Sequence, residues 1–330
     1  MASAEALSFQ LWLAERKNIL LLTHARPDGD AIGSLLGAFY ALRNVCTVHP
    51  FSNDRFPARY HAYAPKELQM GGKLDPAAYD GVLCLDSATE ERLSLPQGMK
   101  LSHFSGAHCV LDHHIDNPGY AALSIVAPTA AAAAELLYRL LSECEVEICA
   151  NAATAMLLGI VTDTGGFRFA NTTPTTFHTA AALLAAGADH NRVMNSVFFN
   201  DPPGLMRLRA AVVEGMKVEL DGRLVYFEVT DELLARFDVD PRNTEDLIEA
   251  VRVAAGAVIV CRLSKVNDGV RFSLRSKDPS VSIIEIAHAI GGGGHRLSAG
   301  AHAKDVTMVQ AVELLRTEAK KVLNGQEGSH

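Results

Sequence analysis

Asp112, His113 and His114 stand side by side at the end of an apolar run, just ahead of Asn117-Pro118-Gly119. Three further acidic sites close other apolar runs: His24 with Asp28 and Asp30, then Asp86, then Asp163. Carboxylates mixed with imidazoles are the donor set of Mn²⁺ or Mg²⁺ rather than of metals that prefer thiolates. Each site alone has an ordinary explanation. Asp28-Gly29 is a common turn, Asp30 and Asp86 can cap helices, Asp163 can end a helix, and the triplet can be a solvated turn. Together they predict four elements converging on two divalent ions. Asp86 is the natural bridge, His113 can face metal, His114 can reach substrate, and Asp112 can orient a histidine ring.

A second set of residues suits anion binding. Gly291 to Gly294 precede His295 and Arg296, and four glycines can bring backbone N–H groups close to a ligand. Arg262 and Arg275 fall on two strand-like segments, and guanidinium forks match phosphate oxygens. A flexible linker is the bland reading of the glycines, and a solvated strand face is that of Arg271 and Lys277. No βαβ unit follows the glycines, so they do not make a dinucleotide-binding motif.

Strand ends can gather these side chains. Asn18 to His24, Val45 to His49, Gly81 to Asp86 and His108 to Asp112 read as strands, with a helix at Ala31 to Arg43. The runs are continuously apolar, as in a parallel sheet buried on both faces and covered by helices. Such sheets bind ligands beyond their carboxyl ends. Helices are expected at Thr129 to Ser142, Asn151 to Val161 and Thr173 to Ala186. Asp201-Pro202-Pro203-Gly204 marks the clearest break. The expected organisation is an α/β domain at 1–187, a linker at 188–206 and a smaller α+β domain at 207–330. In the latter, Ala257 to Leu263 and Gly269 to Arg275 form an antiparallel pair, with helices at Leu205 to Lys217, Val281 to Ile290 and Thr307 to Leu323.

Composition narrows the function classes. The 330 residues are 48% hydrophobic and 21% charged, as in a soluble globular protein. No apolar run is long enough for a bilayer, and the start resembles no secretory signal. Six scattered cysteines without a CxxC pair argue for a reducing, cytoplasmic setting and against a zinc site. A net charge of −8 disfavours grip on long nucleic acid but permits a small anionic substrate.

The order HARPDGDAIGS, then Asp86, then DHH, then Asp163 resembles the DHH phosphoesterases. GGGGH after strands bearing Arg262 and Arg275 resembles their associated C-terminal domain. The similarity spans about His24 to Gly300 and is greatest to the bacterial nanoRNase/pAp phosphatase subgroup. The resemblance implies that His24, Asp28 and Asp86 hold one Mn²⁺, and that Asp30, Asp86, His113 and Asp163 hold the other, with Mg²⁺ or Co²⁺ as substitutes. It further implies that His114 contacts the scissile phosphate or leaving group, and that Arg262, Arg275, Ser276, Gly293, Gly294 and His295 hold substrate. The catalytic set is then His114, Asp86 and Asp112. The expected activity is hydrolysis of short oligoribonucleotides or of the 3′-phosphate of pAp, in a cleft between the domains of a homodimer. The alternatives are a pApA or cyclic-dinucleotide phosphodiesterase and a non-catalytic nucleotide sensor.

Overall fold

Continuously apolar segments build the central strands, and polar or glycine-containing turns end them. The computed structural model describes residues 2–244, 246–294 and 296–324. It divides into two units, one of residues 1–200 and one beginning at Asp201.

In chain order the first unit contains α1 (Ala4–Ala14), β1 (Asn18–Leu22), α2 (Gly29–Leu42), β2 (Thr47–Ser52), β3 (Gln69–Met70), β4 (Gly81–Leu85), β5 (Ala107–Asp112), β6 (Leu123–Val126), α3 (Ala133–Glu143), α4 (Ala150–Asp163), α5 (Pro174–Ala185) and α6 (His190–Phe198). The strands form one parallel sheet in the order β3-β2-β1-β4-β5-β6. Register places Leu22 beside Cys84 and Leu85 beside Leu111, so β1, β4 and β5 end almost level.

Leu21, Leu83, Leu85, Cys109 and Leu111 face a core shared with the helices. Leu20, Leu22, Val82, Cys84 and Val110 face the other side. That second face differs from the expectation of helical cover. Leu74, Leu93, Leu101 and Phe104, carried by loops and single turns of 3₁₀ helix, close it instead. The connections after β4 and β5 lack the apolar periodicity of an α-helix.

The second unit contains α7 (Pro203–Gly215), β7 (Lys217–Glu219), β8 (Leu224–Val229), α8 (Asp231–Phe237), α9 (Leu247–Arg252), β9 (Ile259–Val266), β10 (Gly269–Ser276), α10 (Ile284–Ala289), β11 (Gly293–Gly294), β12 (Ser298–Lys304) and α11 (Met308–Asn324). Its sheet runs β11-β12-β10-β9-β8-β7, antiparallel except for β8 beside β9. α10 and α11 cover one face, and α7, α8 and α9 the other. The chain is thus α/β, with a parallel sheet followed by a smaller mixed sheet.

Part of the segment expected as a linker is structured. α6 is capped by Asp189, which accepts from Arg192 N at 2.9 Å, and Val193 is buried in the first unit's core. His190 to Asn195 is too polar for its helical face to stand out in the sequence. All six cysteines are free thiols. Among the described residues no helix is long and apolar enough to cross a membrane.

Candidate metal centre

β1 leads by way of Thr23 to His24, β4 leads to Asp86, and β5 ends on Asp112 with His113 and His114 next. Three neighbouring strands therefore deliver their C-terminal side chains to one place. Asp86 adopts a left-handed backbone (φ 53°), which Asp tolerates better than most residues, and its N–H donates to Leu111 O at 3.0 Å. This turns the chain sharply where the carboxylate is needed.

The loop after β1 gives its two carboxylates different tasks. Asp28 caps α2, its Oδ1 accepting from Asp30 N at 3.1 Å and Ala31 N at 3.0 Å. Asp30 does not cap that helix. It is buried and accepts from Ala133 N at 2.6 Å and Ala134 N at 3.0 Å, at the positive end of α3. Ser34 Oγ also donates to it at 3.2 Å.

Asp163, the last residue of α4, arrives by close packing of α4 on α2. A Cβ on Gly33 would lie 2.6 Å from Gly159 N, and one on Gly159 would lie 2.5 Å from Asp30 Oδ1. Only glycine lets the two backbones approach this far.

The alanines at 130–134 hold a role the sequence did not disclose. The helix expected from Thr129 begins only at Ala133, because Ala130 and Ala131 spend their carbonyls on the site. His113 Nδ1 donates to Ala130 O at 3.3 Å, and Asn171 Nδ2 to Ala131 O at 2.9 Å. Ala131 to Ala134 are fully buried, and small side chains allow this close approach. Uniform alanine without helical amphipathicity was the available signal.

The side chains form two donor groups. His24 Nε2 lies 3.8 Å from Asp28 Oδ1 and 3.7 Å from Asp86 Oδ2. His113 Nε2 lies 3.8 Å from Asp30 Oδ2, 3.5 Å from Asp163 Oδ2 and 3.6 Å from Asp86 Oδ1. Donor atoms of His24, Asp28 and Asp86 lie within 4.8 Å of one another, as do those of Asp30, His113 and Asp163. Asp86, His113 and His114 make a third such set. In His24 and His113 the Nδ1–H donates to a carbonyl (Ala25 O at 2.9 Å for His24), so Nε2 is the nitrogen that faces the carboxylates and becomes a free donor once its proton leaves. That is the orientation of a metal-ligating imidazole.

These residues fit a divalent cation. Asp86 Oδ1 is buried with no hydrogen-bond partner among the described residues. Burial, then the charges of Asp30 and Asp28, pushes the Asp86 carboxyl well above its ordinary range. Burial likewise raises Asp30, with Asp28 adding to it. Burial alone would lower His24, but Asp28 and Asp86 hold it up at about 9. Burial would also lower His113, which Asp163, Asp86 and Asp30 raise to about 9. Protons thus hold together a cluster whose negative charge a dication would neutralise.

Asp112 stands behind this cluster. It is fully buried, accepts from His114 Nδ1 at 2.8 Å and from Asn117 Nδ2 at 2.7 Å, and so fixes the His114 ring. Burial would raise its carboxyl, but the His114 hydrogen bond and charge keep it below the ordinary range.

In the second unit Arg262 and Arg275 project from the same face of paired strands, since Ser273 lies opposite Arg262. They are held differently. The Arg262 guanidinium donates to Thr244 O, to Thr244 Oγ1 at 2.8 Å and to Ser264 Oγ at 2.8 Å. Arg275 donates to Leu274 O and lies 4.0 Å from Glu249. Ser276 is buried, its hydroxyl donating to Asp278 O at 2.9 Å. The glycines form a short edge strand rather than an open loop, with Gly293 opposite Gly300 and Gly294 opposite Ala299. A Cβ on Gly294 (φ 135°) would strike Ser298 O at 2.7 Å, whereas one on Gly293 would meet open space. His295 lies outside the described residues.

The family model "DHH family, N-terminal domain" matches residues 18–160, and "DHHA1 domain" matches residues 221–325. The bifunctional oligoribonuclease and PAP phosphatase NrnA of Thermus thermophilus is 36% identical over 298 residues, covering 89% of this chain and 87% of the relative. The cyclic-di-AMP phosphodiesterase GdpP of Geobacillus thermodenitrificans is 27% identical, covering 92% of this chain and 47% of the relative. An exopolyphosphatase-related protein from Bacteroides fragilis shares the fold, with a TM-score of 0.88 and 24% identity over 96% of each chain.

Proposed function

This chain belongs to the DHH family, and on that premise we propose that it is a two-metal phosphoesterase for very short oligoribonucleotides and for the 3′-phosphate of pAp. One observation carries the reading. Asp86 turns one oxygen to His24 and the other to His113, so a single carboxylate joins two groups of hard donors.

In this reading His24, Asp28 and Asp86 hold one Mn²⁺, and Asp30, Asp86, His113 and Asp163 hold the other. Bound there, divalent ions would supply Lewis-acid polarisation of phosphoryl oxygens and acidification of a water. His114, fixed by Asp112, meets the scissile phosphate or its leaving oxygen. Arg275, Arg262 and the glycine edge of β11 are the second unit's own candidates for phosphate contacts. A substrate with few phosphates suits a chain whose net charge is −8.

The similarity to a cyclic-di-AMP phosphodiesterase favours pApA or a cyclic dinucleotide as a second reading. Coverage supports the first, because the chain spans 87% of the oligoribonuclease relative and 47% of the other. Hydrolysis rates on pAp, pApA, diribonucleotides, cyclic di-AMP and longer RNA with Mn²⁺ test the choice. The expected result is turnover of pAp and the shortest RNAs, lost in His113→Ala. Full activity in His113→Ala or Asp86→Ala would refute the mechanism.

A further inference from the structure

Directly after Asp163 the chain folds into a tight loop that presents aromatic rings. Gly166 N donates to Val161 O at 2.7 Å, and Arg168 N and Phe169 N both donate to Thr164 O. Phe167 N donates to Thr164 Oγ1 at 3.0 Å. Phe167 is thereby held at φ 64°, a left-handed conformation that bulky side chains rarely adopt. Gly165 and Gly166 leave the space that the Phe169 and Phe198 rings occupy. The Arg168 guanidinium lies over the Phe198 ring, 5.6 Å from its centroid, and donates to Gly165 O, pinning the loop from outside.

The strained backbone serves one visible end. It stacks the Phe167 ring on Phe177, from the first turn of α5, with centroids 5.2 Å apart and planes 23° apart. Phe177 is 55% exposed, whereas Phe167 packs against the core. A rigid aromatic pair, buried at its base and open on top, therefore stands four residues beyond a candidate metal ligand. Asn171, on the segment between the two rings, anchors that segment to the site, since its Nδ2 donates both to Asp163 O at 3.1 Å and to Ala131 O.

We propose that Phe167 and Phe177 form a stacking platform for a nucleobase of the substrate. The proposal rests on the function proposed above. A base offers a flat π-face of matching size, and stacking on aromatic side chains accepts any base, as a substrate class defined by length requires. Proximity in the chain to Asp163 places the platform beside the phosphate chemistry. Strain that persists beside a reactive site is a recognised mark of pre-organisation. Stacking sets how tightly the substrate is held, while the metal centre sets the rate of cleavage.

Phe177→Ala removes the exposed ring, and Phe167→Gly removes its support with a residue suited to positive φ. Each is assayed on a diribonucleotide and on its analogue in which an abasic unit replaces one nucleoside at a time. The expected result is a rise in KM for the diribonucleotide of about 5- to 150-fold, with kcat nearly constant. For one of the two abasic analogues KM should already be high in the wild type and respond to neither substitution.

A dinucleotide carrying 2-aminopurine gives an independent readout: its fluorescence should be quenched on the wild type and not on Phe177→Ala. Unchanged KM and unchanged quenching would overturn the proposal. So would an equal rise in KM for both abasic analogues, which marks a merely structural role. Dissociation of a dimer by Phe177→Ala with unaltered kinetics would overturn it as well, assigning Phe177 and Leu184 of α5 to an interface between copies. If the wild type hydrolyses neither substrate, the functional reading fails, and the quenching experiment still decides the platform.

Discussion

Gly159→Ala separates the placement of Asp30 from the stability of the fold. The added methyl would lie 2.5 Å from Asp30 Oδ1 and 2.7 Å from Ala134 Cβ, about 0.9 Å short of an ordinary 3.4 Å contact on the carboxylate side. Asp30 can yield to the methyl only by straining or breaking the hydrogen bonds it accepts from Ala133 N, Ala134 N and Ser34 Oγ. Overpacking of a tight core costs about 1–3 kcal/mol. Replacing a helical glycine by alanine returns about 1 kcal/mol. The net loss is on the order of 1 kcal/mol, a fall in Tm of roughly 2–4 °C for a unit of this size. Displacing a donor in a reactive constellation by about 1 Å costs on the order of 100-fold in rate. Catalysis should therefore fall far more than stability. Thermal melts with and without Mn²⁺, beside kcat/KM on pAp, test this. The variant should melt almost normally, gain less Tm from Mn²⁺ and turn over about 100-fold more slowly. Wild-type activity with a wild-type metal-induced Tm shift would refute the argument that this glycine positions Asp30.

Asp112→Asn should lower kcat about 10- to 100-fold by releasing the His114 ring, with metal content unchanged by elemental analysis. His24 and His113 hold their protons up to about pH 9, so a cation must displace them below that pH. Apparent Mn²⁺ affinity should rise towards pH 9 and then level off, and calorimetry in buffers of different ionisation enthalpy should show proton release at pH 7. The metal-free protein keeps these imidazolium–carboxylate pairs below the ordinary histidine pKa and loses them as pH rises through about 9. The Mn²⁺-induced gain in Tm should accordingly be larger at pH 9 than at pH 6. In the second unit, Arg275→Ala should raise KM for pAp with little change in Tm. Arg262→Ala should also destabilise by about 1–3 kcal/mol, measurable by urea unfolding, because it strips partners from buried Thr244.

The sheet and the convergence of the acidic sites were legible because buried parallel strands are continuously apolar and end abruptly in polar residues. His24, Asp86 and Asp112 could be placed at strand ends for that reason alone. What positions Asp30 and Asp163 was not legible. Gly33 and Gly159 look like ordinary helical glycines until two helices are packed on them, and Ala130 to Ala134 read as helix by propensity. Their carbonyls and N–H groups act through backbone, which leaves no trace in side-chain pattern. The glycine run read as a loop because a two-residue edge strand has no hydrophobic alternation. α6 escaped notice since its buried face is little more than Val193. The sequence likewise gives no sign that Arg262 is anchored by Thr244, eighteen positions away.

In the proposed mechanism one carboxylate, Asp86, joins two cation sites that act together on a phosphoester. Titration of the metal-free protein with Mn²⁺, following bound ions by electron paramagnetic resonance and pAp hydrolysis in the same samples, tests it most directly. Two ions should bind per chain, magnetically coupled to each other, and hydrolysis should track the doubly loaded form. Full hydrolysis with one ion bound, or with none, would contradict it.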